Sequence, residues 1–149
     1  NYDAIYSSHN IEHLFSHEVP IALREFHRVL NNDGFLIITC PDLQTVCREV
    51  ANGKLTEPLY KSGLGPISAI DILYGLRSDI KNGNKFMAHN CGFTGPVLQA
   101  TLIGCGFKSV VCVAKGDHYA LWSIAFKNKD VDQDYCLNEL KKHVKLSLS

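Results

Sequence analysis

Six consecutive residues, Phe35-Leu36-Ile37-Ile38-Thr39-Cys40, carry no charge and show no alternation of apolar with polar. A strand with one wet face alternates. A strand apolar on both sides has to be covered on both sides, which is the condition of strands in α/β sheets. What precedes the run agrees with this. Val19, Ala22, Leu23, Phe26, Val29 and Leu30 recur at three- and four-residue steps, one stripe of an α-helix. Pro20 falls in the first turn of that helix, where a missing N–H costs least. Asn31-Asn32-Asp33-Gly34 supplies residues that tolerate the left-handed conformation, so the helix is expected to end there. Upstream, Ala4-Ile5-Tyr6 closed by Ser7-Ser8 predicts a short strand. Strand, helix and doubly covered strand make a parallel βαβ unit with a right-handed crossover, and the fold class is α/β.

Further along, Asp42 can cap a short helix carrying Leu43, Val46, Cys47 and Val50, which runs to Asn52-Gly53. Residues 53–66 hold Gly53, Pro58, Gly63, Gly65 and Pro66, which is loop chemistry, and Ile67 to Leu76 predicts a second short helix. An excursion of this length between core elements is usually functional, and residues 52–93 are expected to be a lid-like insertion. Thr94 is the expected N-cap of a helix with Val97, Leu98, Leu102 and Ile103 on one face, ended by Gly104 or Gly106. Val110–Val113 and Ala120–Lys127, joined by Lys115-Gly116-Asp117-His118, predict two antiparallel neighbours. Residues 1–127 then form the body, and 128–149 a C-terminal tail with Val131, Tyr135, Leu140 and Val144 at helical spacing.

A chain of 149 residues with 46% hydrophobic content can bury one ordinary core, so one domain is expected. Fifteen basic residues balance fifteen acidic ones. Without a net field, binding to nucleic acid or to an anionic membrane surface loses its usual electrostatic basis. The longest apolar runs, about six residues, fall far below the roughly 20 that span a bilayer. A cytoplasmic location is therefore expected. Six scattered cysteines without a CxxC pair are expected to be buried and reduced.

Ligands of open α/β sheets bind beyond the carboxyl ends of the parallel strands, where loops converge. Three segments qualify: Ser7 to His13, Cys40 to Asp42, and the stretch before Thr94 that includes His89, Asn90 and Cys91. Residues 9–13, His-Asn-Ile-Glu-His, fit the HxxEH spacing by which two histidines on a helical turn hold zinc beside a glutamate base. That chemistry needs the motif inside a helix and a third protein ligand, whereas here it straddles a strand end. The simpler reading puts His9 and Asn10 on a cleft, with Glu12 and His13 ordering the loop, and no metal. Gly63-Leu64-Gly65 and Gly104-Cys105-Gly106 do not follow a strand and open a helix, as a nucleotide fingerprint requires. His17, His27, His118, His143, Trp122 and Phe126 read as ordinary surface or core residues.

Three segments taken together carry a resemblance: YDAIYSSHNIEHL, LREFHRVLNNDGFLIITCPD and FTGPVLQATLIGCGFKSV. In order and spacing, over about residues 1–127, they resemble the second half of class I S-adenosylmethionine-dependent methyltransferases. The resemblance implies a three-layer α/β sandwich with a Rossmann-like sheet lacking its first strands and a C-terminal antiparallel hairpin. It implies S-adenosylmethionine as cofactor, with Ser7, Ser8, His9 and Asn10 at the position that contacts its methionine part, and His13 and His89 facing the methyl acceptor. The family's glycine-rich loop after its first strand and the acidic residue ending its second have no counterpart in these residues. The resemblance therefore implies the C-terminal part of such an enzyme, inactive or nearly so in isolation, whose full-length form methylates an unknown acceptor, a small molecule by expectation. The strand at Ala4–Ser7 would leave an apolar edge, which a second copy or a partner chain is expected to cover. The competing reading is a noncatalytic methyltransferase-like binding module; an HxxEH zinc hydrolase comes third.

Overall fold

A computed structural model describes residues 1–115 and 119–144. Its strands are β1 (Tyr2–Ser8), β2 (Leu30–Pro41), β3 (Pro58–Ser62), β4 (Gly65–Ser68), β5 (Ser109–Lys115) and β6 (Ala120–Phe126). Its helices are α1 (Val19–Val29), α2 (Leu43–Ala51), α3 (Ala69–Tyr74), α4 (Arg77–Lys81), α5 (Gly95–Gly104) and α6 (Gln133–His143).

The main sheet has the order β1-β2-β6-β5. β1 and β2 are parallel, with Ile5 opposite Leu36 and Tyr6 opposite Ile37, and α1 joins them. β6 runs antiparallel between β2 and β5. Alternation along each strand sends its side chains into two cores. Leu36, Ile38, Cys40, Val110, Leu121 and Ala125 pack with Leu23 of α1 and with Leu98 and Leu102 of α5. On the other face Ile37, Val111, Ile124 and Phe126 pack with Cys136 and Leu140 of α6. The sheet is thus the middle layer of three, and the apolar run of β2 is covered twice, as its composition requires. Among the described residues no helix is long and apolar enough to cross a membrane.

Several local expectations are corrected. Asn31–Gly34 is not a left-handed helix stop. Leu30 is already extended, and the four residues form an irregularity within β2 where Tyr2 pairs with Leu30 but Ala4 with Phe35. Gly34 is needed there for closeness rather than for φ: an added Cβ would lie 3.0 Å from the Asn31 oxygen and 3.1 Å from that of Asp3. Residues 58–68 are not a loop but the antiparallel hairpin β3–β4. Thr94 occupies the N-cap of α5, yet its hydroxyl makes no capping bond. Cys47 is exposed, unlike buried Cys40, Cys105 and Cys136. Asp42 does cap α2, accepting from the Gln44 N–H at 3.2 Å and from the Thr45 hydroxyl. The tail forms α6 through His143. The expected turn at Gly116-Asp117-His118 and the last five residues lie outside the described residues.

Candidate functional site

The chain leaves β1 through His9, whose φ of 45° lies in the left-handed region and whose N–H donates to the Thr39 carbonyl at 2.9 Å. A non-glycine residue held there costs about 1 kcal/mol or more, and the bond to β2 helps to hold it. The turn sends Ile11-Glu12-His13 into a single 3-10 turn, with Ile11 and Glu12 buried. The helix required by the HxxEH zinc reading does not form. The His9 imidazole Nδ1 sits 3.2 Å from Glu12 Oε1.

The loop before α5 is tied to this turn by backbone and side chain together. The Asn90 N–H donates to the Glu12 carbonyl at 2.8 Å, the Cys91 N–H to the same oxygen at 3.2 Å, and the Asn90 amide to the His13 carbonyl at 2.8 Å. His13 Nδ1 donates to the Ala88 carbonyl at 3.1 Å and His89 Nδ1 to the Ile72 carbonyl at 2.8 Å. The two rings meet edge to face, 4.9 Å between centroids. Burial lowers the His89 pKa from its ordinary value, which favours the neutral ring at neutral pH.

His9, Glu12, His13 and His89 line a cavity of about 310 Å³. Tyr60, Ile67, Asp71 and Ile72, from β3, β4 and α3, line it as well, and Tyr119 stacks on Tyr60 at 6.2 Å. Burial alone would raise the Asp71 pKa. Hydrogen bonds from the Arg77 guanidinium, the Ser68 hydroxyl and two backbone N–H groups prevail and hold it at about 2. Of the residues singled out in the sequence, His9, His13 and His89 line the cavity, and Ser7, Ser8 and Asn10 do not. Ser7 is buried in β1, its hydroxyl without a hydrogen-bond partner among the described residues. Ser8 and Asn10 are exposed. Of the other lining residues, Tyr60 had no sequence signal, because the hairpin that supplies it reads as a loop; Asp71 fell in an expected helix and Tyr119 beside an expected strand, with nothing in the spacing to aim either at a cavity.

The family profile described as "Methyltransferase domain" matches residues 1–38, which run from β1 through α1 into the centre of β2. That segment of the chain is similar to a methyltransferase domain. Solved structures share its fold. A candidate O-methyltransferase from Nostoc punctiforme superposes with a TM-score of 0.53 at 14% identity, over 85% of this chain and 32% of the other. The CMeT domain of the citrinin polyketide synthase gives 0.50 at 15% identity, over 88% and 28%. The chain therefore spans about a third of the length of these structures. No curated protein matches the sequence.

Proposed function

We propose that these residues form the acceptor side of an S-adenosylmethionine-dependent methyltransferase. The observation that carries the reading is the cavity at the carboxyl end of β1 and β2, floored by the His9 turn of a segment that matches a methyltransferase domain. Ser7, Ser8, His9 and Asn10 are assigned to the methionine part of the cofactor. The fit is partial: His9 alone of the four reaches the cavity, and the buried Ser7 hydroxyl is a polar atom in need of a partner. Bound there, S-adenosylmethionine would supply an electrophilic methyl group on a sulfonium.

The protein's share is positional. In-line displacement at a sulfonium disperses positive charge, so alignment and exclusion of water can supply much of the rate. The hairpin, α3 and Tyr119 would close over an acceptor that His13 and His89 face. With Nδ1 of each ring committed to a carbonyl, the lone pair of the neutral ring lies on Nε2, where it can take a proton from an acceptor hydroxyl. The 149 residues hold no glycine-rich strand-to-helix turn for the adenosine side, so cofactor affinity and activity of the isolated chain are expected to be low. Ultraviolet crosslinking with methyl-labelled S-adenosylmethionine tests the reading. Saturable label on the peptide containing residues 7–13 supports it; label elsewhere, or none that unlabelled cofactor competes away, contradicts it.

A further inference from the structure

We propose that Glu12, His13 and His89 form a binding site for one divalent first-row metal ion, of which zinc is the natural probe. One potential ligand atom of each residue lies within 4.8 Å of the others. Bonds of about 2.0–2.2 Å to nitrogen and oxygen require the three to close by an ångström or so, within reach of small side-chain rotations.

Two features separate this group from a chance cluster. First, both imidazoles are set up as ligands. A carbonyl oxygen can only accept, so the bonds from His13 Nδ1 to Ala88 and from His89 Nδ1 to Ile72 place the proton on Nδ1 and the lone pair on Nε2. Metal-ligating histidines are oriented by this same kind of second bond. Second, Glu12 is 1% exposed and its Oε2 has no hydrogen-bond partner among the described residues. A buried carboxylate oxygen left unbonded is costly, and a cation between it and two imidazole nitrogens offsets that cost. The neighbouring thiol is turned away: Cys91 Sγ points its hydrogen at the Ile11 carbonyl, 3.2 Å away.

The ligand set differs from the HxxEH zinc arrangement. Glu12 is a ligand rather than a base, His9 buttresses Glu12, and the third ligand comes from a loop 76 residues beyond His13. Two imidazoles and a carboxylate suit zinc, iron(II), cobalt or manganese better than calcium or magnesium. All three side chains line the cavity, so the remaining coordination positions are available to water or to an oxygen of a bound molecule, and a bound ion takes the Nε2 lone pairs that act as base only in its absence. That the bound molecule is a methyl acceptor rests on the function proposed above; metal binding does not.

The test is calorimetric titration of the reduced, metal-free protein with zinc, without cofactor, beside cobalt absorption spectra. Binding of one ion per chain is expected, weakened at least about tenfold in His13→Ala and in His89→Ala and less in His9→Ala. The cobalt spectrum should lack a thiolate charge-transfer band. Because alanine variants can perturb the loop, imidazole nitrogen resonances of the unsubstituted protein give a second readout: zinc should shift Nε2 of His13 and His89. No stoichiometric binding, a thiolate band, or Nε2 signals that ignore zinc would each overturn the proposal. Failure here leaves crosslinking to residues 7–13 untouched, so the two readings fall separately.

Discussion

Asp71 and Arg77 show how a single side chain shapes the cavity wall. The carboxylate, 8% exposed, takes hydrogen bonds from Ser68 at the start of α3 and from Arg77 beyond its end, clamping both ends of a six-residue helix that could not hold itself. Its folded pKa of about 2 lies below the unfolded value of about 3.9, so its contribution is complete above about pH 4 and is lost as pH falls through about 2. Arg77 is half-exposed, and screening reduces the contribution to about 1–2 kcal/mol. Asp71→Asn should lower the urea midpoint at pH 7 by a corresponding amount and flatten the loss of stability between pH 4 and 2. Gly75 is more sensitive. At φ 95° an added Cβ would stand 1.9 Å from the Met87 carbonyl oxygen. Gly75→Ala should cost about 2 kcal/mol or more, or displace the loop that carries His89, seen as a lowered melting temperature. At this scale the site was legible only in part. His9, His13 and His89 announced themselves as polar residues beside strand ends. Glu12 read as a loop residue, because burial and an unbonded oxygen have no signature in a sequence.

Among the elements, what could be read depended on periodicity. The stripe of α1 and the doubly apolar β2 follow from spacing alone, and both were legible. The β3–β4 hairpin was not, because Pro58, Gly63, Gly65 and Pro66 are the residues that ordinarily break structure. Here Gly63 and Leu64 form the tight turn, Gly65 opens β4 at φ 112°, and Pro58 and Pro66 lie within the short strands. Its core is small: Val46, Ile67, Ala69 and Ile72, with half-buried neighbours. Amide exchange should therefore be fastest in β3, β4 and α4 and slowest at Ile37 and Ile38, between β1 and β6. Equal protection in hairpin and sheet would contradict a wall that can open over the cavity. On the far face, Leu140 is the fully buried anchor of α6. Leu140→Ala should cost about 2–5 kcal/mol in chemical denaturation.

For the molecule as a whole, the main sheet ends at β1, whose outer edge has no strand partner among the described residues and which exposes Tyr2 at 63% and Tyr6 at 59%. Such an edge favours pairing. Light scattering should find a dimer or a co-purifying partner, and Tyr6→Lys should shift the population toward monomer; a monomer at every loading concentration would contradict the expectation. Whether the methyl donor of the function proposed above binds beyond β1 and β2 is read out by an amide NMR titration of the chain with S-adenosylmethionine. Shifts concentrated at Ser7–His13 with weak affinity, on the order of a millimolar, are expected. Shifts confined to other regions, or none at saturating cofactor, would contradict the proposal.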